Sequence, residues 1–240
     1  MVDLVIEIRR KMPRLGVKKL YHILKSDLEK SGKIGRDRLF DILRKHGLLV
    51  ERKKSYTRTT NSFHRFYRHS NLLKNSNITV PDQCFVSDIT CIRTERDFVY
   101  LFLLTDYFSR KIVGWNLSID LSLKGGLSAL QMALRQRINK DTDLIHHSDR
   151  GIQYCSNQYV DMLKEHDVRI SMTEASHCYE NALAERVNGI LKDEFLLDGT
   201  FKDFEQAQRA VKEAITVYND LRPHWSLNLQ VPSEVHRRAA

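Results

Sequence analysis

The order of β-type and helical segments in the second half of the chain is the sequence feature that most constrains its fold. Runs of β-forming residues follow one another at 84–92, 98–105 and 111–117. The pattern then predicts a helix at 122–137, a short strand just before Asp149, a helix capped by Ser156 and a fifth strand at 168–172. Three strands followed by alternating helices and strands predict an α/β fold. We expect a mixed five-stranded sheet, three antiparallel strands extended by parallel ones, with flanking helices.

Two further helices are predicted beyond the sheet, at 181–195 and 204–218. On the first of them an apolar stripe is formed by Leu183, Val187, Ile190 and Leu191, and the other side carries Asn181, Glu185, Asn188 and Lys192. Glu185 is therefore expected to face away from the core contact of its own helix. Lys192, about two turns later on the same side, is either a phosphate contact or a solvated lysine.

The first 50 residues read as an all-helical module that precedes the sheet. Apolar residues at helical spacing, interrupted by glycines, predict three short helices, the third at about 36–46. Around the apolar stripe of that third helix lie Arg36, Arg38, Arg44 and Lys45. This arrangement resembles a helix-turn-helix module whose last helix enters a DNA groove. The alternative is an ordinary bundle with solvated charges.

A basic connector at 51–80 separates this module from the sheet region, which we expect at 81–240. Residues 51–69 hold six lysines and arginines against one acid, with tyrosine and phenylalanine interleaved. Cations neutralise phosphates and aromatic rings stack on bases, so the connector is a candidate DNA contact through Arg52, Lys53, Lys54 and Arg58. A solvated linker is the alternative.

The charge balance favours a polyanionic partner, because 39 lysines and arginines face 30 acids and give a net charge of +9. Such a balance also occurs in proteins that bind neither nucleic acid nor anionic membranes. No long apolar run suggests a signal peptide or a spanning helix, so a cytoplasmic location without membrane contact is expected. The four cysteines lack C-x-x-C spacing and are interpreted as reduced packing residues.

Three carboxylates are the candidates for chemistry. Asp88 interrupts an apolar strand, where an unpartnered charge costs several kcal/mol, so it needs a partner. Asp149 follows Leu144-Ile145 in a turn marked by Gly151, and Glu185 follows 36 positions later. Hard oxygen ligands suit Mg²⁺ or Mn²⁺, and two such ions about 4 Å apart serve phosphodiester chemistry. Taken singly, each acid is more readily explained as a structural residue.

Other polar residues near these acids have competing interpretations. His146 and His147 suggest a transition-metal site, but one ring points to each side of a strand. Asp106 either assists the metal site or forms a turn. Gln153 and Asn188 are further candidate hydrogen-bond donors to DNA. Arg222-Pro223-His224 is interpreted as a packing and helix-stop device.

Three ordered segments resemble the signatures of the DDE transposases. They are Val86-Ser87-Asp88-Ile89-Thr90, His147-Ser148-Asp149-Arg150-Gly151-Ile152-Gln153-Tyr154 and Glu180-Asn181-Ala182-Leu183-Ala184-Glu185-Arg186-Val187-Asn188-Gly189-Ile190-Leu191-Lys192. The 35 residues between Asp149 and Glu185 match the gap of the OrfB-type transposases of bacterial insertion sequences, part of the retroviral-integrase superfamily. Tyr218-Asn219 with Arg222-Pro223-His224 resembles the C-terminal signature of that family.

This resemblance implies a ribonuclease-H-like catalytic core with Asp88, Asp149 and Glu185 as its metal-binding triad. It further implies two Mg²⁺ ions, for which Mn²⁺ substitutes, and cleavage plus strand transfer at the ends of an insertion sequence. The expected partners are DNA, as element ends and target, and further copies of the chain in a synaptic complex. A first-frame (OrfA-type) protein or fusion is a further partner, and the bacterial nucleoid is the expected location. Phe85 and Glu180 depart from the usual Trp and Asp of the family without touching the triad.

Two alternatives stay open beside the transposase hypothesis. A DNA-binding protein with a catalytically silent core is disfavoured because all three acids are present. A ribonuclease-H-like nuclease shares the expected fold, and fold alone does not separate the two activities. The basic N-terminal module and the C-terminal helix favour a transposase.

Overall fold

A mixed β-sheet organises the second half of the molecule in the computed structural model, which describes residues 1–30, 34–50, 67–174 and 178–238. Its strands are β1 (Cys84–Thr94), β2 (Phe98–Asp106), β3 (Ile112–Ser118), β4 (Ile145–Ser148), β5 (Arg169–Met172) and β6 (Thr200–Phe201). The first three form an antiparallel meander, and β4 and β5 extend it in parallel in the order β3-β2-β1-β4-β5. The expected five-stranded mixed sheet is confirmed. The two-residue β6, which pairs with β1, was not predicted.

Helices cover both faces of this sheet. They are α5 (Leu123–Arg135), α6 (Ile152–Cys155), α7 (Asn157–Glu165), α8 (Ala182–Glu194), α9 (Phe204–Asp220) and α10 (Pro232–Arg238). Four helices, α1 to α4, precede them in the N-terminal part of the chain. Alternate residues of β1 point to opposite faces. Phe85 belongs to the core formed with α5 and α7, whereas Ile92 belongs to the core formed with α8 and α9. Apolar clusters on the two faces of the sheet thus hold these helices.

The N-terminal part of the chain is helical, as expected, with α1 (Val2–Lys11), α2 (Val17–Ile23), α3 (Lys25–Lys30) and α4 (Arg36–Lys45). The sequence predicted three helices here, but Leu24 leaves the helical conformation and divides the second one into α2 and α3. Buried Val5, Leu20 and Leu39 join the apolar cluster that lies under α8 and α9. These helices therefore pack against the sheet region. None of the helices in the described ranges has the length and apolar character needed to cross a membrane.

A buried polar network joins the end of α8 to the segment after α9. The guanidinium of Arg222, 2% exposed, donates to both carboxylate oxygens of Glu194 at 2.8 and 2.7 Å. A third nitrogen of the same group lies 2.7 Å from Nε2 of His224, and Lys19 of α2 pairs with Glu194 at 3.2 Å. The Arg222-Pro223-His224 segment thus ties three parts of the chain together, in agreement with its interpretation as a packing device.

Candidate active site

The pairing of β1 with β4 brings two distant aspartates to adjacent positions. The parallel register matches Val86 with His147. Asp88 and Asp149 each lie two residues further along, and a separation of two residues keeps a side chain on the same face of a sheet. Because neighbouring strands lie about 4.8 Å apart, this register places Asp88 and Asp149 side by side on one face of the sheet. The strand β4 ends at Ser148, so Asp149 is the first residue after it.

The turn after β4 fixes the carboxylate of Asp149. The backbone N–H of Gly151 donates to Oδ1 of Asp149 at 2.9 Å. A Cβ atom at position 151 would lie 3.0 Å from the same oxygen, closer than ordinary contacts allow. Glycine is therefore the residue that lets the backbone approach this carboxylate, and Gly151 then precedes the short helix α6.

The two histidines of β4 have protein partners on opposite faces of the sheet. Nε2 of His146 lies 3.0 Å from the hydroxyl of Tyr159. His147 contacts Oγ of Ser171 at 2.8 Å and the carbonyl oxygen of Glu180 at 2.9 Å. Burial lowers the pKa of both rings, that of His146 to about 3, so both are neutral near pH 7. They anchor β4, and they do not form a metal pair.

The helix α8 supplies the third acid and a partner for the first. Glu185, in the first turn of α8, is exposed, and Asn188 one turn later is buried. The side-chain amide of Asn188 donates to Oδ2 of Asp88 at 2.8 Å, and the backbone N–H of Ile89 donates to Oδ1 at 2.9 Å. The side of α8 that was expected to face away from the core thus lies partly against the sheet. There Asn188 provides a hydrogen bond to the carboxylate of Asp88.

Burial and neighbouring carboxylates raise the pKa values of Asp88 and Glu185. Burial, followed by repulsion from Asp149 and then Glu185, raises the pKa of Asp88 to about 7, although the hydrogen bonds from Asn188 and Ile89 oppose the increase. Burial and the charge of Asp149 also raise the pKa of Glu185. The charges of Asp149 and Glu185 both act on Asp88, from the end of β4 and from α8. A cluster of acids that resists ionisation is relieved by a multivalent cation.

Lys192 lies on the same side of α8 as this cluster. Burial lowers the pKa of its half-buried ammonium, and the charges of Asp88 and Asp198 oppose this decrease. Gln153, a candidate for DNA contact, donates instead to the carbonyl oxygen of Leu121 at 3.1 Å. Asp106 accepts from the backbone and hydroxyl of Ser109 at 2.7 and 2.6 Å, as expected of a turn-forming residue.

The other predicted DNA-contacting residues are carried by α4 or fall outside the described part of the chain. Arg36 pairs with Asp37 at 2.8 Å and Arg44 with Asp41 at 2.7 Å, and Arg38 and Lys45 are exposed. This helix packs on α2. Arg52, Lys53, Lys54 and Arg58 lie outside the described residues.

A basic cavity between the N-terminal helices and the C-terminal segment was not predicted. It has a volume of about 380 Å³ and is lined by Lys18, Tyr21, His22, Lys25, Arg36, Trp225 and Leu229. The indole of Trp225 is 57% exposed. Sequence reasoning missed the cavity because its two walls are almost 200 residues apart in the chain.

Comparisons with known proteins agree with this fold. Two models named Integrase core domain match residues 79–178 and 166–232. The chain is 33% identical over 224 residues to the insertion element IS600 uncharacterized 31 kDa protein of Shigella sonnei, covering 90% of this chain and 82% of that protein. It is 34% identical over 184 residues to transposase InsF for insertion sequence IS3A of Escherichia coli, covering 76% and 64% respectively. The match therefore spans slightly less than two thirds of the InsF transposase.

A solved structure supports the same conclusion about the fold. A chain of the simian T-cell lymphotropic virus intasome, in complex with PP2A regulatory subunit B56 gamma, superposes with a TM-score of 0.57 at 18% identity. The superposition covers 92% of this chain and 74% of the viral one. The ribonuclease-H-like fold of the integrase cores is thereby confirmed. The chain belongs to the insertion-sequence transposases, DDE-type polynucleotidyl transferases with an integrase core domain.

Proposed function

We propose that Asp88, Asp149 and Glu185 bind the divalent metal ions with which this transposase cleaves and joins DNA at the ends of an insertion sequence. The observation that carries the proposal is the convergence of the three acids from β1, the end of β4 and α8, with the pKa of Asp88 raised to about 7. An unrelieved repulsion of this kind is rare in a structural role and common in metal and catalytic sites.

The donor set fits Mg²⁺ or Mn²⁺. All three side chains offer hard carboxylate oxygens and no nitrogen or sulfur, which is the ligand type these ions prefer. Two such ions, when bound, neutralise the charge that develops on the phosphodiester and favour the ionised form of the attacking oxygen. Cation binding also removes the repulsion that raises the pKa values of Asp88 and Glu185.

The residues around the triad position it. Asn188 and the backbone of Ile89 each orient one oxygen of Asp88, and the N–H of Gly151 orients Asp149. Glu185 is exposed at the start of α8, where a DNA strand has access to it. Lys192, close enough to Asp88 to interact with its charge, is suited to hold a phosphate of that strand.

In the reaction, oxygen nucleophiles attack phosphodiesters in line. Water cleaves the element end and leaves a DNA 3′-hydroxyl, which then attacks a phosphodiester of the target and displaces its 3′-oxygen. Every bond formed replaces one broken, so no energy source or covalent protein intermediate is needed. The chain's own contribution is to align the DNA and to hold the carboxylates in place.

DNA contacts are proposed on three surfaces. Arg36, Arg38, Arg44 and Lys45 of α4 are the first, and the predicted connector residues Arg52, Lys53, Lys54 and Arg58 are the second. The cavity beside Trp225 is the third, because three cations surround an exposed aromatic ring that is free to stack on a base.

Assembly with further copies of the chain is part of the proposal. Two element ends must be held together for transposition, and the related viral chain comes from an intasome. We propose a homo-oligomeric synaptic complex on DNA in the bacterial nucleoid. A first-frame (OrfA-type) protein or fusion is the proposed additional partner for recognition of the terminal repeats.

The test is a strand-transfer assay with labelled DNA ends, a target plasmid and Mg²⁺. The parent should yield joined products, and Asp149→Asn should lower their yield by at least about 100-fold while DNA binding is retained. Asp161→Asn removes an exposed acid from α7 and serves as the matched control, with parental activity expected. Joined products at parental rates from Asp149→Asn would refute the proposed role of the triad.

A further inference from the structure

Three buried side chains meet where β1 begins, away from the proposed active site. Asp82 lies in the turn before β1, Asp106 ends β2 beside Phe85, and His236 belongs to α10. All three are 0% exposed. One ring nitrogen of His236 and one oxygen of each aspartate lie within 4.8 Å of one another. The chain thus collects two acids and an imidazole, from segments distant in sequence, at one point in the interior.

Hydrogen bonding to Ser109 determines which nitrogen of His236 carries a proton. The hydroxyl of Ser109 donates its single hydrogen to Oδ1 of Asp106 at 2.6 Å. The same hydroxyl oxygen lies 3.0 Å from Nδ1 of His236, so at this contact the hydroxyl accepts and Nδ1–H donates. In the neutral ring, Nε2 therefore carries a lone pair.

That lone pair faces a second buried acceptor. Nε2 of His236 lies 3.8 Å from Oδ1 of Asp82, and both atoms are buried without a hydrogen-bond partner within the described ranges. The other oxygen of Asp82 accepts from the backbone N–H groups of Ile138 and Asn139 at 2.7 and 3.0 Å. A buried acceptor without a partner costs about 1–3 kcal/mol, so two that face each other call for a cation between them.

The separation of the two atoms indicates the kind of cation. A distance of 3.8 Å is too long for a hydrogen bond. It is close to the separation of two ligands on one ion when each bond measures about 2.0–2.2 Å. Asp106 belongs to the same group of side chains within 4.8 Å and offers a further carboxylate, although its 3.7 Å contact with the ring is made by Oδ1 to Nδ1, on the side of Ser109.

We propose that Asp82, Asp106 and Nε2 of His236 bind one divalent transition-metal ion of the Zn²⁺ class. The nitrogen ligand favours such an ion over Mg²⁺, and Ser109 orients the ring from its other nitrogen, as partners of metal-bound histidines commonly do. The site fastens α10 to the beginning of β1 and the end of β2. It is separate from the proposed triad and does not depend on the transposase activity.

Two cationic side chains, Lys111 and Arg237, lie near the cluster. The ammonium of Lys111 interacts with Asp82, Asp220 and Asp106, while its burial lowers its pKa. The charge of Arg237 repels that of Lys111. The rival occupant is a proton on Nε2, which would turn His236 into an imidazolium between the two aspartates. The experiment is therefore designed to distinguish a metal ion from a proton.

Metal content measured on the full chain without an affinity tag tests the proposal. After exposure to Zn²⁺ and gel filtration, the parent should retain one Zn²⁺ per chain by mass spectrometry, and Zn²⁺ should raise its Tm. Asp88→Asn, which alters only the proposed active site, should retain the same amount of Zn²⁺, and Asp161→Asn, an exposed substitution outside both sites, should match the parent in Zn²⁺ content and Tm. Asp82→Asn should bind Zn²⁺ at least about tenfold more weakly, because it removes a ligand.

The Asp82→Asn variant is chosen because it should fold. Asp82 has a positive φ of 64°, a conformation that asparagine tolerates, and the new amide can donate to the lone pair of Nε2. His236→Gln is the second variant and should also lose Zn²⁺. Absence of Zn²⁺ from the parent, or equal retention by parent and Asp82→Asn, would overturn the proposal. A Tm that does not respond to Zn²⁺ would also overturn it.

Discussion

The carboxylate of Asp88 lies inside the sheet beside two other acids, where burial and repulsion raise its pKa to about 7. The unfolded chain releases this proton near pH 4, so the native state binds more protons between about pH 4 and 7. Stability is therefore lost as pH rises through this window, and the full cost is present above pH 7. A carboxylate proposed to bind metal is thus unfavourable for the metal-free fold.

Replacing Asp88 with asparagine should consequently stabilise the metal-free protein. We expect Asp88→Asn to raise the free energy of unfolding by about 2 kcal/mol at pH 8 and by much less at pH 5, because asparagine has no charge to desolvate. Urea denaturation in EDTA at both pH values measures the difference. Asp161→Asn, an exposed substitution, should show no such dependence on pH. An equal effect of Asp88→Asn at the two pH values would contradict the electrostatic explanation.

Asn188 affects the pKa of Asp88, and this effect can be measured. Its hydrogen bond opposes the increase in the pKa of Asp88. Mg²⁺ binding displaces the proton of Asp88, so affinity should fall about tenfold per pH unit below pH 7. In Asn188→Ala the pH at which affinity begins to fall should move upward by about one unit. Calorimetric titrations from pH 5.5 to 8.5 test this, with Gln131→Ala on α5 as an exposed control. A curve that does not move would exclude the positioning role.

At the scale of single residues, the sequence predicted which acids form the candidate site but not which side chains surround them. Asp88, Asp149 and Glu185 were recognisable from the motifs and their gaps. The hydrogen bond from Asn188 was not, because a polar residue on the polar side of a helix has the same pattern whether it faces water or a carboxylate. The cluster of Asp82, Asp106 and His236 carries no motif at all, since its members come from three separate segments.

Among the elements, those with a strong local pattern were predicted and those that depend on distant contacts were not. The strands β1 to β3 and the helices α5, α8 and α9 were predicted to within a few residues because they have clear periodicity. The two residues of β6 are too few for any pattern, and they become a strand only by pairing with Arg93 and Thr94 of β1. Leu24, an apolar residue without a helix-breaking neighbour, gave no sign that α2 ends there.

The end of α8 should be the most sensitive element junction. Arg222 binds both oxygens of Glu194, and its hydrogen bonds and charge, together with those of Lys19, lower the pKa of Glu194 despite burial. Arg222→Ala leaves this carboxylate buried and short of partners, so we expect it to cost about 3–5 kcal/mol in the free energy of unfolding. Arg238→Ala, which removes an exposed pair with Glu234, should cost less than about 0.5 kcal/mol. Equal losses in urea denaturation would show that the network contributes no more than a surface pair.

In the whole molecule, the N-terminal helices are held against α8 by specific contacts. Arg14 pairs with Asp193 at 3.0 Å and Lys19 with Glu194 at 3.2 Å. The N-terminal helices also line, together with the C-terminal segment, the cavity that contains Trp225. A DNA strand that occupies the cavity would therefore contact both ends of the chain. The sequence predicted the basic character of the N-terminal module, but not that the C-terminal segment completes its surface.

Fluorescence of Trp225 is the direct probe of this surface. The chain has two tryptophans, and Trp115 lies half-buried on β3. Stacking of a base on the exposed indole should quench the emission of the parent when single-stranded DNA is added, and Trp225→Leu should lose the quenching. Trp115→Phe should retain it. DNA affinity should weaken by about 1–3 kcal/mol in Trp225→Leu, the usual contribution of one stacked base.

Salt dependence separates stacking from charge at the same surface. Affinity of the parent should fall steeply with salt, because phosphate contacts release counterions. Lys25→Gln should reduce the slope of log affinity against log salt by about 0.7, one phosphate contact on a single strand, whereas Trp225→Leu should weaken binding at every salt concentration without changing the slope. Lys140→Gln, far along the chain on the loop after α5, is the charge-matched control. If Lys25→Gln and Lys140→Gln have the same slope as the parent, the cavity is not a DNA contact, and the DNA must be held by the other proposed surfaces.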